Sequence, residues 1–446
     1  MKSEYLNRVL NDVIMKNPSE KEFIQAVKEF LSSLDDVVCT DPNIEKFAII
    51  ERLVEPDRLI MFKVPWTNDK GEIVINRGYR VQFNNAIGPY KGGLRFDSTV
   101  NQSIVKFLGF EQIFKNSLTG LPMGGAKGGS DFSSKGKSDG EIMRFCQSFM
   151  MELYRHIGED TDVPAGDLGV GAREIGYLFG YYKKIRNVHT GVLTGKAISY
   201  GGSLIRKEAT GYGLCYFTEQ LLKVMKNDSF VGKKVIVSGS GNVAIYTALK
   251  AQELGATVIA MSDRSGVLYN EDGLDLKLIE SIKGNYQSLK EYLNTYPDVD
   301  FNQNTKSIWG HKCDLVFPCA TQNEIDLEDA VKIVENKVIA VCEGANMPTT
   351  IEATEYLINN GVIFAPGKAS NAGGVATSCL EMAQNAYHYP WSSEQVDERL
   401  KTIMINIFNN CYETAIKYNH KDNLVVGANI AGFLRVYDAM KCQGIL

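Results

Sequence analysis

Histidine is scarce in this chain, with five in 446 residues. His156, His189, His311, His388 and His420 are too scattered for a paired or H-E-x-x-H metal motif, and no metal site is expected. The nine cysteines include no C-x-x-C pair and no disulfide-like framework, which fits a reducing compartment. No run approaches the ~18 apolar residues of a membrane helix, so no membrane partner is expected. The opening MKSEYLNRVLNDVIMKN lacks the apolar stretch of a secretory signal, which makes a cytoplasmic location the expectation. Positive charge is not in excess either. A formal charge of −5 and a pI near 5.7 argue against a nucleic-acid partner. Internal repeats and low-complexity linkers are missing as well.

What is present is glycine set around lysine. Lys127 lies in LPMGGAKGG (121–129), with Gly124 and Gly125 before it and Gly128 and Gly129 after. Lys91 lies in GPYKGGLRF (88–96) and Lys115 in FEQIFKNSLTG (110–120). Glycines let substrate and backbone approach closely. Desolvation and neighbouring cations disfavour the charged form of a lysine in such a pocket, which makes it usable in acid–base chemistry. The run is not a Walker A loop, because Ala126 precedes Lys127 and Gly128 follows it.

The second informative segment is VIVSGSGNVA (235–244), which reads as strand, glycine turn and helix start. Gly239, Gly241 and Ala244 form a G-x-G-x-x-A dinucleotide fingerprint. Backbone N–H groups at the start of the helix would meet the pyrophosphate. Asp263, at the end of the next apolar run, lies where an acid would hold the ribose 2′-OH of NAD. Ser262 and Arg264 flank it, and an arginine there suits the extra phosphate of NADP unless it is only a solvated turn residue. NADP is the favoured cofactor and NAD the alternative. A lysine-lined anion pocket with a dinucleotide site points to hydride transfer on a small carboxylate substrate.

Length implies more than one domain. The first ~50 residues show helical apolar spacing, and 58–69 and 71–88 have strand composition. Helices are expected across 102–114 and 140–158, with Met143, Met150 and Met151 as core filler. Beyond 201, the runs KKVIVSGS, ATVIAMSD, CDLVFPCAT, KVIAVCEGAN and VIFAPGKAS alternate with helical stretches, which predicts a parallel, doubly wound sheet. The segments 406–419 and 427–441 read as helices packing back toward the first domain. The expected fold is α/β in two domains. Residues 1–200 with 425–446 form an α/β substrate-binding and oligomerisation domain, and 201–424 form a Rossmann-like dinucleotide-binding domain.

Together the motifs GPYKGGLRF, KFLGFEQIFKNSLTGLPMGGAKGGSDF, TDVPAGDLGVGAREIGY, TGKAISYGGSLIRKEATGYG, SGSGNVA and PGKASNAGGVATSCLEMAQN resemble the small hexameric bacterial glutamate dehydrogenases. The resemblance covers about 50–390. It implies reversible oxidative deamination of L-glutamate to 2-oxoglutarate and ammonium with NADP, in a homohexamer whose two domains flank a cleft. It also implies that Lys91 and Ser378 hold the γ-carboxylate, and that Gln112 and Lys115, with the Gly166 backbone, hold the α-carboxylate. Lys127 would be the catalytic lysine, activating water to attack an iminium, and Asp167 its partner in proton transfer. Thr210, Asn242, Asn346 and Asn371 match cofactor-contacting positions, alongside the run Gly239, Ser240, Gly241, Asn242 and Val243 and the trio Ser262, Asp263 and Arg264.

Blander readings exist for single residues: Asp167 as a turn cap and Ser378 as helix packing. A branched-chain or aromatic amino-acid dehydrogenase would carry apolar residues in place of Lys91 and Ser378. A non-catalytic nucleotide sensor would have no need of Lys127 and Asp167.

Overall fold

The computed structural model describes residues 1–445, so Leu446, the last residue of the expected 425–446 segment, lies outside it. Contacts divide the chain into two compact units. The first comprises Met1–Leu204, Ala376–Ser393 and the residues from Asn429 onward; the second comprises Ile205–Val375 and Glu394–Ala428. The grouping departs from the expected 201–424 domain at 376–393, and 406–419 does not group with the first domain as its expected packing would have it. Residues 376–393 group with the first unit, because Glu381 accepts hydrogen bonds from the backbone N–H of Gly195 and Lys196. The helix Ser393–Lys417 stays with the second unit, where its buried face includes Leu400, Met404 and Phe408.

The first unit is built on a five-stranded mixed sheet ordered β1-β2-β4-β3-β5. Its strands are β1 (Arg58–Thr67), β2 (Ile73–Asn84), β3 (Tyr90–Phe96), β4 (Gly125–Ser130) and β5 (Asp162–Gly166). β1, β2 and β4 run antiparallel in turn, while β3 is parallel to both β4 and β5. Pro65 is confined to β1, the edge strand, as its missing N–H requires.

The motifs around Lys91 and Lys127 form the strands β3 and β4, while Lys115 lies on helix Gln102–Leu118. Their glycines permit very tight strand and helix packing. A Cβ on Gly92 would lie 1.6 Å from the carbonyl oxygen of Ala126, and one on Gly125 would lie 2.4 Å from Ile113 Cγ1. Helix Gln102–Leu118 thereby lies directly on β2 and β4, with Gly109 against Val81. On the aromatic side of the unit, Phe132 stacks on Phe145 at 3.7 Å among Trp66, Phe96 and Phe149. Helix Asp139–Leu153 opens on a Ser138–Glu141 capping box and buries Ile142, Phe145, Cys146, Phe149, Met150 and Leu153. Met143 and Met151 fall off that 3.6-residue face and are exposed, so only Met150 is core filler.

The second unit carries a seven-stranded sheet ordered β12-β11-β10-β6-β7-β8-β9. The strands are β6 (Lys234–Val237), β7 (Thr257–Asp263), β8 (Gly266–Tyr269), β9 (Asp300–Asn302), β10 (Leu315–Phe317), β11 (Ala340–Cys342) and β12 (Ile363–Ala365). Five are parallel, as the alternating apolar runs predict. β8 and β9 add an antiparallel edge that the sequence reading omitted. The chain leaves β6 toward β7 on one side and returns to β10 on the other. That reversal places the fingerprint at the topological switch point, where such sheets bind nucleotides.

Candidate active site

In the first unit the lysines stand on adjacent elements of the sheet and its covering helix. Lys91 is on β3, Lys127 on β4, and Gln112 and Lys115 lie one turn apart on helix Gln102–Leu118. Lys91 and Lys127 are buried, at 1% and 6% exposure, and Lys115 is half-buried. They are not surface charges.

Each is held by specific partners. Lys91 Nζ donates to Thr194 Oγ1 at 2.7 Å, and Thr194 is itself fixed by donation from its backbone N–H to Pro164 O at 3.0 Å. Asn116 donates to the carbonyls of Lys91 and Gly124 and accepts from Gln112 Nε2 at 2.7 Å. Thr194 and Asn116 are thus part of the site, although the sequence reading overlooked both. Beneath the sheet, the fully buried Arg80 makes a two-point pair with Asp162 and donates to Gly92 O at 3.0 Å, tying β2, β3 and β5 together.

The central contact is between Lys127 Nζ and Asp167 Oδ2, at 2.9 Å. Asp167 directly follows β5, and its neighbour Gly166 closes that strand, where a Cβ would lie 2.5 Å from Val170 O. The Asp167 backbone carbonyl accepts from Val170 N, while its side chain turns to Lys127 and to Arg95 Nε, 3.0 Å away. It is no mere turn cap. Burial works to raise the Asp167 pKa, but the Lys127 ammonium and the Arg95 guanidinium prevail and hold it at about 2. Arg95 is a third residue the sequence reading passed over, hidden in the motif that drew attention to Lys91.

Ser378 lies on helix Gly373–Tyr387 and is buried. Burial pushes the adjacent Cys379 thiol up to about 11, against the pull of the Lys91 ammonium, so this part of the helix lies within the electrostatic reach of Lys91.

In the second unit the fingerprint has the geometry a dinucleotide needs. Gly239 has φ +84, a left-handed conformation in which a Cβ would also crowd Ala320 at 3.1 Å. A Cβ on Gly241 would meet nothing within 4 Å, which leaves the start of helix Asn242–Glu253 open to a phosphate. Ala244 is fully buried, as the small third position requires. Ser240 and Val243 are half-buried, and Asn242 is exposed at the first helical position. Ser262 Oγ accepts from Gly239 N at 2.9 Å, locking the turn to β7. Thr210 lies against Gly374, whose Cβ would be 2.7 Å from its hydroxyl oxygen. Asn371 donates to Ala345 O and to Asn346 Oδ1, at 3.0 and 3.1 Å.

Asp263 does not present a free carboxylate. Oδ1 accepts from the backbone N–H and hydroxyl of Ser265, and Oδ2 accepts from Lys283 Nζ and Leu289 N, both at 2.9 Å. Arg264 beside it is exposed. Lys283, twenty residues downstream on another helix, gave no sequence signal.

Residues 201–444 match the Glutamate/Leucine/Phenylalanine/Valine dehydrogenase family, and residues 56–184 match the family's dimerisation domain. The chain belongs to this family. It is 54% identical to the NADP-specific glutamate dehydrogenase of Haemophilus influenzae, over 99% of this chain and 98% of that one. It is 52% identical to the NAD-specific glutamate dehydrogenase of Bacteroides fragilis, over 99% and 100%. The solved glutamate dehydrogenase of Plasmodium falciparum superimposes with a TM-score of 0.96 at 51% identity, covering 99% of this chain and 95% of that one. Among the described residues no cluster of three or more His, Cys, Asp or Glu could hold a metal ion, and no helix is long and apolar enough to cross a membrane.

Proposed function

We propose that this chain is a glutamate dehydrogenase, catalysing reversible oxidative deamination of L-glutamate to 2-oxoglutarate and ammonium with NADP. The observation that carries the reading is the 2.9 Å contact of Lys127 with Asp167, with Lys91 buried on β3, the strand between β4 and β5. A doubly charged amino acid needs two anion holders and a separate acid–base pair. Lys91 and Ser378 would take the distal carboxylate, and Gln112, Lys115 and the Gly166 backbone the α-carboxylate. The apolar residues that a branched-chain amino acid would need at 91 and 378 are missing.

A dinucleotide held at the turn 239–243 would supply the hydride acceptor for the substrate Cα in deamination and the hydride donor in amination. Lys127 takes a proton from the water that attacks the resulting substrate iminium. The ionised Asp167 takes up the proton that the carbinolamine hydroxyl gives up as the carbonyl forms and passes it to the departing ammonia, with Arg95 compensating its negative charge before and after. The turn 239–243 would hold the pyrophosphate, with Thr210, Asn346 and Asn371 supporting the rest of the cofactor. Its extra phosphate would lie near Ser262, Arg264 and Lys283. NADP is favoured over NAD because every oxygen of Asp263 is engaged by its own protein, leaving no bare carboxylate for a ribose 2′-OH. An NAD-using relationship remains the second reading, since an acid does stand at this position and the Bacteroides fragilis relative is NAD-specific.

The assembly we propose is a homohexamer in the cytoplasm. Exposed Met61, Ile73 and Ile75 on β1 and β2 supply apolar surface for association, and all nine cysteines are free thiols. Oxidation of NADPH dependent on both 2-oxoglutarate and ammonium tests the activity. No turnover by folded protein would favour a nucleotide sensor. Sedimentation as a monomer would refute the hexamer.

A further inference from the structure

Outside the proposed machinery, the first unit contains a second fully buried ion pair. Lys196 Nζ lies 3.0 Å from Glu381 Oε1, and both side chains are at 0% exposure. The Glu381 carboxylate accepts three hydrogen-bonding groups from one short turn. Oε2 takes Gly195 N at 2.9 Å, and Oε1 takes Lys196 N at 3.3 Å as well as the ammonium. Lys196 Nζ also donates to Leu193 O and faces the Phe179 ring at 5.7 Å. Gly195 takes φ +86, a left-handed conformation that suits glycine in so tight a turn.

Thr194 sits in the middle of this turn, with the clamp gripping residues on both sides of it. Its hydroxyl is the acceptor for Lys91 Nζ. Glu381 follows Ser378 by three residues on the same helix, so both project from neighbouring positions on one face. A single carboxylate therefore fixes the turn that orients Lys91 and fixes its height relative to Ser378. The fold alone does not call for an ion pair here. Apolar residues of similar volume often stabilise such positions as well or better, because burying two charges carries a desolvation cost. What an apolar pair cannot do is point three donors of one turn at one place.

We infer that Lys196 and Glu381 are positioning residues for recognition of the substrate's distal carboxylate: their buried pair holds Thr194, and through it Lys91, in register with Ser378. This rests on the glutamate reading of the site. Neither residue touches substrate. The pair acts on selectivity by setting where an ammonium and a hydroxyl stand.

The test compares glutamate with norvaline, which has the same carbon chain but no distal carboxylate. Lys196→Met is the single variant. Lys196→Met with Glu381→Gln is the double variant, which leaves no buried charge unpaired and so guards against simple unfolding. Displacements near ~1 Å at a reacting site cost up to about 10²-fold. Both variants should lose roughly 10-fold or more of kcat/KM for glutamate, mostly through KM. Norvaline turnover and NADPH affinity should stay within about 3-fold, so the glutamate-to-norvaline ratio collapses. Equal losses on both substrates would mean a merely structural pair and overturn the inference, as would an unchanged ratio. Wild-type enzyme that used norvaline as well as glutamate would instead strike down the glutamate reading, which is how the two failures are told apart.

Discussion

Arg95 and Lys127 meet at one atom, Oδ2 of Asp167, from 3.0 and 2.9 Å. Two cations on one oxygen keep Asp167 ionised while Lys127 gives up or regains a proton. Lys127→Ala should therefore retain cofactor binding yet lose at least ~10²-fold in turnover. Asp167→Asn should lose a similar factor, and the double variant little more, because the two act as a unit. Steady-state kinetics with NADPH fluorescence titration checks all three; additive losses would break the pairing.

The same carboxylate makes a pH-dependent contribution to stability. Its pKa is depressed from 3.8 to about 2, so its stabilisation is present above 3.8 and is lost as pH falls through about 2. Asp167→Asn should accordingly lower the thermal midpoint at neutral pH. The gap between variant and wild type should close in acid, as scanning calorimetry at several pH values would show.

Glu343 behaves in the opposite sense. Burial raises its pKa from 4.5 to about 7, opposed by the N–H groups of Gly367 and Thr349 and by the charge of Lys368. An acid with a raised folded pKa stabilises fully below 4.5, and that contribution drains away as pH rises through about 7. Across that window the loss is on the order of 3 kcal/mol. Denaturant midpoints at pH 5 and pH 8 should differ in wild type and differ less in Glu343→Gln. An identical slope in both proteins would remove Glu343 from the account.

Cofactor choice is tested at Lys283. Charge-assisted hydrogen bonds contribute about 1.5–3 kcal/mol each, or roughly 10- to 100-fold in affinity. Lys283→Ala should weaken NADPH by that factor while leaving NADH much less affected. Equal weakening of both would mean that Lys283 merely braces Asp263.

Gly92→Ala tests the packing. A Cβ placed 1.6 Å from a backbone oxygen cannot be absorbed by a rotamer change, so strands β3 and β4 must part. We expect a loss of about 3 kcal/mol or more in urea unfolding, with a higher KM for glutamate. A tolerated alanine would show that the strands have room to spare.

Much of this site was legible from composition and spacing. Lys91, Lys127 and Asp167 sit in long motifs, and the fingerprint 239–244 is flanked by strand and helix in the order its chemistry needs. The strands β3 and β4 were not legible, because glycine usually weakens strands and here serves close approach instead. Arg95, Asn116, Thr194 and Lys283 were missed for a different reason. Each acts through a partner distant in sequence, and no local pattern encodes such a pairing. The edge strands β8 and β9 were missed because GVLY and the mostly exposed DFN do not stand out as apolar runs the way the buried parallel strands do. Residues 376–393 were misassigned because their allegiance is decided by hydrogen bonds to 195–196, which only the folded chain brings together.

The close seating of β3 on β4 bears on any attempt to redirect this scaffold toward other amino acids. Randomising the stretch around the reactive lysine, an intuitive place to begin, would mostly yield misfolded clones, since the backbone there has no slack for a methyl group. Diversity belongs instead at 91, 194 and 378, whose buried side chains stand beside a frame that the glycines have already closed.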